Sequence, residues 1–317
     1  MIGKNLLTKM KIKTELVFLL IVIIAMCVIS GLINPRFFTV FNFLTIFQQV
    51  AVLGILTSAM LMLLVMGAID LSYGSLTGLC SVVLCNMISV QDVNPWLTLL
   101  VMFTIALGAG LLNGLIITRF DCEPLIVTIG TSYIYLGFAR VISRGTYQSL
   151  GGAFPFIGTA RVLGWVPMPM IVMLIVMLLM SVLLRFTPFG RKLHIIGGNS
   201  EVAFLSGIPV KKYKVLAFTL GGGIAGLSAF VLTSRIGSAL PTNGAGNELY
   251  ALAASIIGGA SFSGAKGTVL GALLGVLLLG IVNNALNILG VDAFYQTVVT
   301  GVIIVIAVIF SNLKKSS

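Results

Sequence analysis

The sequence is short of charge: Asp, Glu, Lys and Arg together make up only 9% of 317 residues. Soluble globular domains carry about a quarter. Histidine is nearly absent, with His194 the only one, and the four cysteines Cys27, Cys80, Cys85 and Cys122 show no paired ligand spacing. A metal site or a Cys/His nucleophile is therefore not expected, and small buried hydrophobes account better for the cysteines. No Gly-Lys-Ser/Thr triplet occurs, which excludes a Walker-type phosphate loop and ATP hydrolysis by that route. Gly221, Gly223 and Gly226 match a dinucleotide-type glycine pattern, but no strand precedes them and an apolar span surrounds them. No catalytic constellation is visible.

What fills the space is hydrocarbon. Apolar residues form 58% of the chain and mean hydropathy is +1.15. The fold class expected is an all-α integral membrane protein, a single transmembrane domain over 1–317. The basic start Lys4, Lys9, Lys11 and Lys13 precedes an apolar run at 16–33, long enough to span and without a clear small-x-small cleavage site, so it reads as a retained first span. Further spans are predicted at 43–69, 71–90, 97–118, 125–142, 168–186, 213–234, 249–264, 268–289 and 294–312, ten in all. The glycine-rich 249–264 is short and reads as broken or re-entrant.

The net charge of +11 sits at the ends of apolar runs, a topology signal and not a nucleic-acid stripe. With ten spans and both termini cytoplasmic, fourteen of the nineteen cations fall inside and five (Arg36, Arg140, Arg144, Arg161 and Arg235) outside. Dropping one span would invert everything after it and destroy the bias. Small residues four apart (Gly110 and Gly114, Gly222 and Gly226, Gly267, Gly271 and Gly275) mark close helix crossings.

Three polar features stand out. The longest charged interval, 185–214, contains a short helix with its own signals: Asn199 or Ser200 to cap, Glu201 in the first turn, Val202, Ala203, Phe204 and Leu205 as an apolar surface, Gly207 and Pro209 to end it. Two turns are not stable alone, so it either lies on lipid headgroups or docks a partner. At membrane depth, Asp70 or Ser72 caps the next helix or lines a gate, and Asn283 and Asn287, one turn apart, meet a neighbouring helix or a polar cavity. The segment PTNGAGNEL (241–249) is a polar glycine turn in which Glu248 reads as a cap. On the outer side, the loop 143–169 carries Arg144 and Arg161, with Arg140 just before it, a surface suited to an acidic soluble partner.

Four stretches, GAIDLSYGS (67–75), GRKLHIIGGNSEVAFLSGI (190–208), GAGNELYALAASIIGG (244–259) and GTVLGALLGVLLLGIVNNALNILG (267–290), together resemble the ribose-type permease family of bacterial ATP-binding-cassette importers, in its order and near its spacing. The resemblance implies a multi-pass protein of the bacterial inner membrane that forms half of a pathway for a pentose or hexose. It implies a second permease subunit (homodimer or paired paralogue), cytoplasmic ATPase subunits that use ATP and magnesium, and an extracytoplasmic binding protein. This chain itself would be no enzyme and bind no cofactor. The coupling role would fall to Asn199, Ser200, Glu201, Val202, Phe204, Leu205 and Gly207, within a cytoplasmic segment of about 187–214. Tyr250 stands where the family often has Asp, and Phe204 where it often has a basic residue. Some pieces also resemble permeases for autoinducer-2, a sugar-like signal. An ion-coupled secondary transporter is the rival class, and it would need an intramembrane ionisable residue, for which only Asp70 is a candidate.

Overall fold

The computed structural model describes residues 2–316. The side chains of Lys4, Lys9, Lys11, Lys13, Lys314 and Lys315, used in the charge count, lie outside the described ones. The chain is helical almost throughout: α1 (Ile2–Ile33), α2 (Val40–Met66), α3 (Tyr73–Ser89), α4 (Pro95–Arg119) and α5 (Pro124–Ser143) come first. A cap of short pieces follows: β1 (Gln148–Ser149), α6 (Pro155–Gly158), β2 (Arg161–Val162) and β3 (Val166–Pro167). Then come α7 (Met168–Phe186), α8 (Pro188–Gly198), α9 (Ser200–Leu205), α10 (Val210–Ile236), β4 (Ser238–Ala239), α11 (Asn247–Ile257), α12 (Val269–Ile288) and α13 (Ala293–Ser316).

Local sequence explains many of the boundaries. Thr39 opens α2 by accepting the Asn42 N–H at 3.3 Å, and Asn94 opens α4 with Pro95 in the first turn. Seven of the described helices are long and apolar enough to cross a membrane, α1, α2, α4, α5, α7, α10 and α12. The predicted span 71–90 is the 17-residue α3, and Phe294–Ile303 is a further short apolar stretch. The predicted span 249–264 differs most. Only eleven residues, Asn247–Ile257, are helical, about 16 Å of rise, roughly half a hydrocarbon core. The backbone before it, 240–246, is a series of turns, because Pro241, Gly244 and Gly246 interrupt any helix there.

The core is built around α2. Along the second half of this helix, Ile55, Leu56 and Ala59 to Val65 are wholly buried, as α7, α10, α11 and α12 surround it. One close crossing is α4 on α10. A methyl added at Gly110 would collide with the Phe218 carbonyl, and one at Gly222 with the Ala106 carbonyl. The backbones touch where the four-apart glycines predicted it, since packing and not hydrophobic push holds helices together in lipid. Gly258 and Gly271, and Gly275 with Ala254, bring α11 onto α12 in the same way.

The bundle has two distinct ends. At one, Asn113 reaches Asp70, Leu71 N–H reaches Thr128, and the Ala265 N–H bonds the Val65 carbonyl at 2.9 Å. Arg119, Arg185, Arg191, Lys192, Lys211, Lys212 and Lys214 belong to helix ends or to α8 and α10 on this side. At the other end β1 pairs antiparallel with β4, Gln148 opposite Ala239, and the β2–β3 hairpin sets Arg161 opposite Pro167. Phe154 of the cap packs edge-on against Trp96 and Phe230, tying it to α4 and α10.

Candidate functional site

At the cation-rich end, α9 is the helix expected at 199–207. Asn199 accepts the Glu201 N–H at 2.9 Å and the Val202 N–H at 3.0 Å. Gly207 exits with φ +79°, and its N–H and that of Ile208 return to the carbonyls of Phe204 and Ala203. Only Ala203 is buried, whereas Val202, Phe204 and Leu205 are 54%, 69% and 77% exposed. Three apolar side chains thus project from the polar end of the bundle. Beside them is an open groove of about 630 Å³ bounded by Ser200, Glu201 and Phe204, by Asp121 and Glu123 after α4, and by Lys211 on α10. Lys211 bonds Asp121 at 3.3 Å with both side chains exposed, a geometry worth little to stability. Sequence reasoning missed α8, although Thr187 with Pro188 is a cap followed by an N1 proline. Thr187 does accept the Gly190 N–H at 3.2 Å. Tyr213 fixes this helix to α10 by accepting from Lys192 Nζ at 2.7 Å.

Asp70 and Ser72 lie inside the bundle, 1% and 0% exposed. Ser72 ends up at the helix boundary, but its side chain caps nothing. Its hydroxyl donates to Asp70 Oδ1 at 2.5 Å, and its N–H donates to the same oxygen at 2.8 Å. Asn113 Nδ2 donates to Asp70 Oδ2 at 3.3 Å and to Ser72 Oγ at 3.1 Å. Tyr135 closes the network from α5 by donating to Asn113 Oδ1 at 3.3 Å. The carboxylate therefore satisfies the Ser72 N–H, not the second or third amide of α3 as a cap would. It knots the α2–α3 turn to α4 and α5.

The asparagines of α12 separate. Asn284, not singled out from sequence, is buried and exchanges two amide hydrogen bonds with Asn42 of α2, at 3.0 and 2.9 Å. Asn287 is exposed and accepts from Gln296 at 2.9 Å. Asn283 lines an open cleft of about 280 Å³ between α2, α11 and α12, at which Gln49 is exposed. Gln49, Asn247 and Tyr250 complete its polar lining, with Val50 and Leu53 as apolar wall. A methyl at Gly280 would collide with Val50, so this glycine lets α12 approach α2 and brings Asn283, one turn on, to the same cavity as Gln49. Sequence reasoning missed Gln49 and Asn247, which carry no local signal. Next to the cavity, Glu248 accepts the Gly246 N–H at 3.2 Å and packs against Gly74 of α3.

At the far end Arg140, Arg144 and Arg161 are all exposed. Arg140 and Arg144 end α5, whereas Arg161 lies over the Phe41 ring of α2 at 5.6 Å. Arg235 is engaged with α2, donating to the Gln48 carbonyl at 2.9 Å.

Residues 42–308 match the family model described as "Branched-chain amino acid transport system / permease component". The ribose import permease protein of Bacillus subtilis strain 168 is 39% identical over 293 residues, covering 92% of this chain and 90% of that protein. The D-allose transport system permease protein of Escherichia coli K12 is 37% identical, covering 93% and 90%. The L-arabinose transport system permease protein of the same strain is 31% identical, covering 94% and 91%. No solved structure matches. The chain belongs to this permease family, in its ribose-type branch, and is a multi-pass protein of the inner membrane.

Proposed function

We propose that the chain is the membrane-spanning subunit of an ATP-binding-cassette importer that admits a monosaccharide, a pentose or hexose, to the cytoplasm. The observation that carries this is similarity along more than nine-tenths of the chain to permeases named for ribose, allose and arabinose. The family model is described by amino-acid transport, whereas the relatives that cover more than nine-tenths of the chain carry sugar names. They favour a sugar over autoinducer-2 and over an ion-coupled carrier.

In this reading the cation-rich end is cytoplasmic, which puts both termini inside if the broken stretch 240–257 counts as one crossing. The exposed trio on α9 is the contact with a separate ATPase subunit that uses ATP and magnesium. The groove beside it, of mixed charge, supports docking over a headgroup-lying loop, because lipid attraction favours a uniformly basic face. Arg140, Arg144 and Arg161 dock the binding protein on the other side, and a second permease subunit completes the pathway. Asp70 and Ser72 are structural, and Asn287 stands outside the pathway.

The test is uptake of radiolabelled D-ribose, D-allose and L-arabinose by cells carrying this permease with its ATPase and binding protein. Deleting the ATPase while the proton gradient is intact should abolish uptake. Uptake that survives this deletion but collapses with an ionophore would replace the reading with an ion-coupled carrier.

A further inference from the structure

We propose that the cavity between α2, α11 and α12 is where the permease touches its sugar, and that Gln49, Asn247, Tyr250 and Asn283 select among monosaccharides by hydrogen-bonding their hydroxyls. The proposal rests on the sugar-importer reading and adds to it a contact site and a role in selectivity.

Depth is the first argument. Gln49 is about 13 Å along α2 from its start, and Asn283 about 8 Å before the end of α12. Polar side chains at such positions have no water to bond unless they face protein or a wet cavity. Asn42, Asn113 and Asn284 solve this with partners inside the bundle. Gln49 is exposed and Asn247, Tyr250 and Asn283 are half-buried; none has a side-chain hydrogen bond among the described residues, and all four line one open cleft. The backbone agrees. The turns at 240–246 break the span just before Asn247, with Thr242 and Ala245 exposed. Irregular backbone at this depth is tolerated where it lines a water-filled passage, and broken helices in transporters mark the substrate site.

The lining chemistry names the ligand class. Three amides each offer donors and an acceptor, and the phenol offers both, matching sugar hydroxyls, which are also both. The Tyr250 ring, Val50 and Leu53 meet the apolar C–H face of such a ring. No charged side chain lines the cavity, so the carboxylate and ammonium of an amino acid would be desolvated there without partners. The volume of about 280 Å³ sits at the low edge of the ~300–1,000 Å³ common for small-molecule pockets, a size for one sugar ring. Uncharged partners also suit passage, since a site in a pathway must release what it holds.

The importer with its ATPase and binding protein is reconstituted in vesicles, and uptake of radiolabelled D-ribose, D-allose and L-arabinose is measured together with ATP hydrolysis. Gln49→Leu with Asn283→Leu should lower sugar moved per ATP about tenfold, the size of effect expected from losing a pair of neutral hydrogen bonds. It should also change the order of preference among the three sugars, while docking of the binding protein and its stimulation of ATP hydrolysis persist. Asn283→Gln keeps the amide and should retain most uptake, which separates loss of contact from loss of fold. Unchanged transport per ATP and unchanged preference in the double variant, at equal amounts of monodisperse protein, overturn the proposal. So does equal loss in Asn283→Gln and Asn283→Leu without a change in preference. If the unaltered importer moves none of the sugars, the sugar reading itself falls and takes the cavity's role with it.

Discussion

Replacing Asp70 tests whether a carboxylate at membrane depth acts in transport or in architecture. Its Oδ1 holds the N–H and hydroxyl of Ser72 at 2.8 and 2.5 Å, and its Oδ2 accepts from Asn113 at 3.3 Å. Asp70→Ala removes all three acceptor contacts. Asn113 still has Ser72 Oγ at 3.1 Å, so the groups left stranded are mainly the Ser72 N–H and hydroxyl. At about 1–3 kcal/mol for each of these two buried groups, the loss is roughly 2–6 kcal/mol. Asp70→Asn keeps one oxygen for Ser72 and turns an NH2 group toward Asn113. That conflict of two donors costs about 1 kcal/mol, because only the longest bond is lost. The expected order in thermal unfolding of the detergent-purified protein is wild type, Asn slightly below, Ala far below with low membrane abundance. Asn should keep most uptake. Wild-type melting in Asp70→Ala would refute the structural account, and a normally folded Asp70→Asn without transport would assign the charge a direct role.

Other outcomes follow from the same contacts. Gly222→Leu should prevent assembly of α4 on α10, seen as lost folded protein, since its first carbon already meets the Ala106 carbonyl. A double-mutant cycle on Asn42→Leu and Asn284→Leu should return a coupling of about 0.6–1.7 kcal/mol in unfolding, the range for hydrogen bonds between membrane helices; zero coupling would deny the pair its role. Neutralising Arg140, Arg144 and Arg161 together should slow association with the binding protein and flatten its salt dependence, and unchanged kinetics would remove them from docking. Phe204→Asp should leave insertion and binding-protein docking intact but abolish stimulated ATP hydrolysis, because a carboxylate would enter an apolar contact without a partner.

Much of the helical layout is written locally. Asn199, Glu201, Gly207 and Pro209 placed α9 almost to the residue, and the glycines at 110, 114, 222 and 226 marked the α4–α10 crossing, because both signals depend on neighbours in sequence. The broken span was visible only as glycine richness. Its unwound stretch at 240–246 lies before the predicted start, since a hydropathy window tracks apolarity and not where the backbone leaves the helix. The outer arginines counted as one group by side of the membrane, and the structure adds that Arg161 of β2 lies over the Phe41 ring of α2, a contact no local signal marks.

The polar residues at membrane depth were the least legible. Asn283 and Asn284 are neighbours of one residue type in one helix, so composition and hydropathy treat them alike. What separates them is about 100° of rotation: one meets Asn42 and exchanges two hydrogen bonds, and the other meets a cavity. The same division runs through the bundle. Asp70, Ser72, Asn113 and Tyr135 spend their polar groups on each other and fix helices in place. Gln49, Asn247, Tyr250 and Asn283 make no side-chain hydrogen bond among the described residues and line an open cleft. On the proposed reading, three amides kept at one cleft where leucine would fit serve a polar cargo that passes there. That role, and not the identity of any one residue, is what ties this part of the structure to transport.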